Sequence, residues 1–314
     1  MFMKNKNRGW EEPSALPGNR ANIDSLAALG RLASTFRNAG MRSVFNGIRD
    51  AVDAVVLRLD LPPLGAEIDG IRLRGFLRHR SFLENLARGT YEPCTRKLFS
   101  GLLAETDVFV DAGAHIGLFS VLASRRGVSD LSVFSFEPDP YNGKALRYNL
   151  RKNRCANVRM LPMAVSDTTG TARFLISDGT LGSSLILGRT NIGATHSRLV
   201  PTAALDFTLQ EIPLKSLLIK LDVEGGEIMA LRGMSSVLRR ASKVAMICEM
   251  NPAALQAGGQ TPAGLVHLLQ TQGLETLFIS DAEGGLVPVT ETFAAKGNLL
   301  CLKDWPIPKE WMRR

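Results

Sequence analysis

Val108 to Ser120 reads Val-Phe-Val-Asp-Ala-Gly-Ala-His-Ile-Gly-Leu-Phe-Ser, and this stretch decides the fold class. A short apolar run, Val108 to Val110, ends in a carboxylate, Asp111. Two glycines four apart, Gly113 and Gly117, then open a helix-like segment. The pattern describes a buried strand, a tight turn and a helix N-terminus, where an open parallel sheet meets nucleotide-like ligands. A dinucleotide turn would place glycine where His115 stands, and Asp111 would repel a pyrophosphate. A cationic ligand with an amino group suits that carboxylate better.

The second piece lies downstream. Ser132 to Phe136 is rich in strand-forming residues and ends in Glu137-Pro138-Asp139-Pro140. Glu137 follows Asp111 by 26 positions, near the spacing at which the next strand of such a fold delivers an acid to ribose hydroxyls. An ionised carboxylate only accepts hydrogen bonds, so it can hold both hydroxyls. Asp139 before Pro140 is a cap and first-turn pair for a helix through Leu146 and Leu150. S-adenosylmethionine, with a sulfonium, an ammonium and no phosphate, fits both acids.

Composition narrows the class. The 314 residues suffice for a domain plus an extension, with 45% hydrophobic and 22% charged residues. Cys94, Cys155, Cys248 and Cys301 are scattered, and Cys248 and Cys301 fall in apolar runs, as expected of small core residues in a reducing compartment. No apolar run reaches the ~18 residues of a spanning helix. The basic N-terminus lacks the apolar segment of a secretory signal, so a cytoplasmic location is expected. Net charge is +8, and residues 71–100 hold seven Arg or Lys against two Glu. That segment suits an acidic substrate, a membrane surface, RNA or simply a solvated face. Aromatic residues are only 6%, without a base-stacking platform, so nucleic acid is disfavoured as a partner.

Along the chain, residues 1–62 read as an N-terminal extension. Its first ~20 residues, polar and Pro/Gly-rich, are expected to be disordered. Asn22 to Leu59 then shows helical apolar spacing, with faces that suit a homodimer. Asp69-Gly70 signals a hairpin between short strands, and a helix is expected from about Pro93 to Leu103. Strands are expected at Val158–Val165, Thr171–Ile176, Leu217–Val223, Val244–Met250, Glu275–Ser280 and Asn298–Leu302. Helices are expected around Ile228–Met234 and over about Pro262–Gln272. Gly179 to Pro201 reads as an irregular insertion. Alternating strands and helices imply an α/β fold, a doubly wound, mostly parallel sheet covered on both faces. Its last two strands are expected to pair antiparallel at the edge.

Several ordered motifs carry a resemblance. Asp111-Ala-Gly-Ala-His-Ile-Gly117, Phe136-Glu-Pro-Asp-Pro140, Ala164-Val-Ser-Asp167, Gly182-Ser-Ser-Leu185, Ile219-Lys-Leu-Asp-Val-Glu-Gly225 and Asn298-Leu-Leu-Cys-Leu302 together resemble the FkbM-type methyltransferase family. The likeness covers about residues 90–302 of a domain expected over 63–314. It implies a Rossmann-like class I fold with a seven-stranded sheet, S-adenosylmethionine as cofactor, and O-methylation of a sugar, glycoconjugate or other small molecule. It further implies that Asp111 and the backbone around Gly113 and Gly117 face the methionine part, that Glu137 takes the ribose, and that Val165, Ser166 and Asp167 border the adenine. His115 stands where the family usually has Asn, and its ring is expected to donate to a carboxylate or carbonyl. Ser183, Ser184 and His196 of the insertion are the candidates for meeting the acceptor.

Asp222 and Glu224 would face one side of a continuing strand, and Glu249 ends the neighbouring one. Three readings of these candidate catalytic acids stand side by side. Asp222 or Glu224 is a base or acceptor-positioning group. Alternatively Asp222, Glu249 and Asn251 hold a divalent cation, a reading not favoured. Or Glu224 caps the next helix while Asp222 bonds into the turn. Lys220 is placed to pair with one of them. Tyr91-Glu92 either closes over the cofactor or merely packs. An RNA methyltransferase, a non-catalytic cofactor-binding domain and a nicotinamide dehydrogenase remain the alternatives.

Overall fold

The computed structural model describes residues 64–177, 184, 185, 194–290, 293–307 and 311. The expected extension, with its helices and dimer faces, lies outside the described residues. In chain order the elements begin with Leu64–Ile68 (β1), Ile71–Gly75 (β2), Arg80–Ala87 (α1), Pro93–Leu102 (α2), Val108–Ala112 (β3), Leu118–Arg126 (α3), Ser132–Phe136 (β4), Pro140–Lys152 (α4) and Val158–Leu161 (β5). Ala164–Val165 (β6), Gly170–Ser177 (β7), Ala194–Ala203 (β8), Leu205–Thr208 (α5), Ser216–Leu221 (β9), Glu227–Arg232 (α6) and Ser235–Arg240 (α7) follow. Lys243–Met250 (β10), Pro252–Ala257 (α8), Pro262–Thr271 (α9), Glu275–Ser280 (β11), Gly285–Pro288 (β12) and Gly297–Lys303 (β13) complete the set.

The main sheet has eight strands, in the order β12-β11-β13-β10-β9-β3-β4-β5. Strands β10, β9, β3, β4 and β5 are parallel, and β13, β11 and β12 add an antiparallel edge. The expected seven strands gain one because the chain turns at Gly284 (φ 68°) and lays Gly285–Pro288 back on β11. From β3 the order runs to β4 on one side and β9 on the other. The carboxyl ends of β3 and β9 therefore flank a switch point, where ligands bind in open sheets.

Alternation along the central strands divides the core. Phe109, Leu218, Ala245 and Ile247 pack on one face with Leu98 and Phe99 of α2, Leu118 and Leu122 of α3, and Leu146 of α4. Val108, Val110, Leu217, Ile219, Val244 and Met246 pack on the other with Ile228, Leu231, Val237, Leu238, Leu265 and Leu269. Each large apolar side chain so buried contributes on the order of 1.5–3 kcal/mol. Both faces are covered, as the near-continuous apolar strand sequences predict.

Three expectations about strands change. Val158–Val165 is two strands in two sheets, because Pro162 has no N–H to continue a ladder. The first half ends the main sheet, and the second pairs with β8. The insertion, expected to be irregular to Pro201, becomes strand from Ala194, pairing antiparallel with β7 through a bulge at Ile176/Ser177. Its polar, partly exposed composition hid that strand. Finally β9 stops at Leu221, so Asp222 and Glu224 lie on a turn and not on a continuing pleat.

Candidate active site

The turn after β3 is built against its neighbours. Gly113 and Ala114 donate backbone N–H groups to the Phe136 carbonyl at 3.0 and 2.9 Å. Gly113 adopts φ 88°, and a Cβ there would stand 1.8 Å from the Asp222 carbonyl oxygen, so only glycine lets the two turns touch. Gly117, with its N–H on the Ala114 carbonyl at 2.8 Å, starts α3. Gly113, Ala114 and His115 reach the wall of a solvent-open cleft, which Gly117 does not line.

Asp111 lines the cleft floor and is almost wholly buried. Ser120 Oγ donates to its Oδ2 at 2.5 Å and also meets Ser135 Oγ at 2.6 Å. Burial pushes the carboxyl up to about 6, against the pull of Ser120 and of the Lys220 charge. Glu137 ends β4 in the same cleft. Its carboxylate accepts the His115 N–H at 2.7 Å, the Asp139 N–H at 2.8 Å and the Asn142 amide at 3.5 Å. Burial, then the Asp139 charge, pushes it to about 8. Asp139 caps α4 by accepting the Tyr141 and Asn142 N–H groups. Both acids are thus held by partners yet short of positive charge.

His115 departs from expectation. Its main-chain N–H reaches Glu137, whereas its ring Nε2 is buried without a partner among the described residues. The ring instead packs edge-on against His79 (5.2 Å) and Phe82 (4.8 Å). Burial, and then Arg78, lowers its pKa to about 3, so the imidazole is neutral. On the far side of the cleft Val165 lines the wall together with Met163 and Ala164. Ser166 and Asp167 do not line it: Ser166 is buried with its N–H on the Ala203 carbonyl, and Asp167 is exposed.

The acids after β9 converge. Carboxylate oxygens of Asp222, Glu224 and Glu249 lie within 4.8 Å of one another. Asp222 and Glu224 line the cleft, whereas Glu249 stands behind them. Burial, followed by the charges of Asp222 and Glu224, holds Glu249 well above the usual carboxylate range. Lys220 Nζ reaches Asp222 Oδ2 at 3.0 Å and Asn298 Oδ1 at 3.2 Å. Burial pulls this lysine down, but Asp222 and Glu92 outweigh it and hold the ammonium above the usual lysine range. Asn251, expected to join a cation site, caps α8 instead through the Ala254 N–H, and Glu224 takes its place in the cluster.

Glu224 is not the cap of the following helix. Glu227 Oε1 accepts the N–H groups of Val223 and Gly225, each at 3.2 Å, and so holds the turn. Glu224 itself has φ 54°. The buried Ser184 hydroxyl donates to the Glu224 carbonyl at 2.7 Å. Ser184 therefore sits behind the turn, out of reach of an acceptor, while its neighbour Leu185 lines the cleft. Ser183 lies outside the described residues. His196 stands opposite Ile176 on β8, and its side chain lies outside them.

Sequence reasoning assigned no site role to Phe82 or Phe174, and Leu185 entered only as the end of a motif; Lys220 was expected to pair with one of the acids, and it pairs with Asp222. Lys220 had a signal, a lone charge in the buried strand Ser216–Leu221. The apolar wall had none, since Phe82, Phe174 and Leu185 come from elements distant in sequence.

A family description, the methyltransferase FkbM domain, matches residues 111–275. The hexuronic acid methyltransferase AglP of Haloferax volcanii is 25% identical over 174 residues, 55% of this chain and 65% of that protein's length. A SAM-dependent O-methyltransferase from Thermotoga maritima aligns at 14% identity and TM-score 0.37, covering 68% of this chain and 64% of the other. A precorrin-6y C5,15-methyltransferase from Geobacter metallireducens aligns at 14% identity and TM-score 0.34, covering 66% and 85%.

Proposed function

The chain belongs to the methyltransferase FkbM family, and from that premise we propose that it transfers a methyl group from S-adenosylmethionine to a hydroxyl of a sugar, glycoconjugate or other small hydroxylated molecule. One observation carries the reading: Asp111, Glu137, Asp222 and Glu224, at the tips of three adjacent parallel strands, line a single cleft. A site so acidic, with Lys220 as its one lining Lys or Arg among the described residues, suits a cationic cofactor and disfavours a pyrophosphate. The sugar acceptor is further supported by the hexuronic acid named for the Haloferax relative.

The residues present fit that cofactor. Asp111 and the N–H and carbonyl groups of the 113–117 turn would hold its methionine end. Glu137, which retains free lone pairs beyond its three donors, would take the ribose. Val165, Met163 and Ala164 would border the base. When bound, the cofactor supplies an electrophilic methyl carbon on a sulfonium. Asp222 and Glu224 accept the hydrogen bond of the incoming hydroxyl, orient its lone pair, and one of them receives its proton. Lys220 holds Asp222 through its Oδ2 beside the cleft.

Titration calorimetry of the full chain with S-adenosylhomocysteine and with NAD tests the cofactor. Tight binding of the first and none of the second is expected, and the reverse overturns the proposal. Transfer of a radiolabelled methyl group onto a panel of glycosides, lost in Asp222→Asn with Glu224→Gln, tests the chemistry.

A further inference from the structure

Tyr91 lies on the loop between α1 and α2, in the cleft wall that also contains Asp222 and Glu224. Its ring meets Phe82 edge to face, with centroids 4.8 Å apart and planes at 73°. Its carbonyl receives the guanidinium of Arg96, which is itself nearly buried and anchored to Asp69 at 2.8 Å. Ring and backbone are thus fixed independently. Among the described residues nothing hydrogen-bonds the phenol hydroxyl. Tyr91 is half-buried and lines the cleft, so its hydroxyl is available as a donor to a ligand there. Burial, reinforced by the charges of Glu92, Asp222, Glu249 and Glu224, pushes the phenol above its usual range, so it remains a donor at any working pH.

Resting on the reading above, we propose that Tyr91 recognises the acceptor: its hydroxyl donates to an oxygen beside the reacting hydroxyl, and its ring with Phe82 forms an apolar wall for the C–H face of a pyranose. The substrate class is then a ring bearing vicinal oxygens, one held by Tyr91 and the other delivered to Asp222 and Glu224. Aromatic rings combine a large apolar surface with a polar tip, which matches a sugar's apolar face and hydroxyl rim. A pure packing role would be served equally by phenylalanine, so Tyr91→Phe separates the two.

The test uses the full chain loaded with S-adenosylhomocysteine and a panel of methyl hexopyranosides and methyl hexuronopyranosides. Saturation-transfer NMR reports which protons touch the protein, and calorimetry gives affinities. Wild type is expected to bind at least one glycoside with its ring C–H protons saturated. Tyr91→Phe should weaken that glycoside about 3- to 10-fold, the worth of one hydrogen bond. Tyr91→Ala should weaken it further, while S-adenosylhomocysteine affinity in Tyr91→Phe stays within about twofold of wild type. A Tyr91→Phe chain that binds the glycoside like wild type overturns this inference alone. Loss of S-adenosylhomocysteine affinity in Tyr91→Phe also overturns it, by placing the phenol on the cofactor. A wild type that binds S-adenosylhomocysteine but no glycoside removes the sugar reading and this inference together.

Discussion

Lys220 Nζ lies 3.0 Å from Asp222 Oδ2, joining a side chain almost entirely removed from water to one that borders the cleft. The pair places a fixed positive charge beneath the acids and sets the direction of Asp222. A buried ion pair is weak as a source of stability, but removing one partner strands the other.

Lys220→Met should therefore destabilise the fold by about 3 kcal/mol, measured by urea unfolding. Lys220→Met with Asp222→Asn should cost less than the sum of the single changes, because the two share one interaction. Strict additivity would show that the charges do not depend on each other.

Glu137→Ala should lower S-adenosylhomocysteine affinity at least about tenfold and also destabilise the chain. Its carboxylate receives the N–H groups of His115 and Asp139, and each buried donor left without a partner costs about 1–3 kcal/mol. From sequence alone this change affects ligand binding only; the structure gives Glu137 a second task. Calorimetry and thermal unfolding on the same sample separate the two effects.

The contribution of Asp111 and Glu137 to stability should fall as pH rises from about 4 to 8, against a smaller opposing one below about pH 6.5 from the neutral His115. Asp111 and Glu137 have folded pKa values raised to about 6 and about 8, so in that window the folded chain binds more protons than the unfolded one. The unfolding free energy then decreases with pH until both groups are ionised. A cationic ligand beside them reverses the penalty. The rise in melting temperature caused by S-adenosylmethionine should be several degrees larger at pH 8 than at pH 6, and a pH-independent rise would contradict it.

Gly113→Ala should abolish cofactor binding and leave the chain poorly folded. A methyl group there meets the Asp222 carbonyl oxygen at 1.8 Å, and the φ of 88° adds strain. Soluble yield and circular dichroism check this, and a well-folded variant with wild-type affinity would refute it.

Much of the fold was legible because its signals are local. Val108–Val110, Leu217–Ile219 and Val244–Cys248 are apolar on both faces, which marks central parallel strands. Asp69-Gly70 gave the hairpin, and Pro93, Pro140 and Pro262 marked helix starts. Ala194–Ala203 escaped because its apolar content is low and its ladder comes from pairing with Gly170–Ser177. Such pairing is a property of two segments and has no signature in one.

What the chain settled by itself was the strand–turn–helix chemistry: which acids end which strands, and where glycine must stand. Those features depend on neighbours in sequence, through backbone φ and alternating side-chain direction. Tertiary structure alone decided which acids share a cavity and in what state. It brought Tyr91 and Phe82 into one cleft with Asp222, moved Ser184 behind Glu224, gave the turn to Glu227, and left the His115 ring neutral. Burial and through-space charge set these outcomes, and both depend on segments far apart in sequence that only folding brings together.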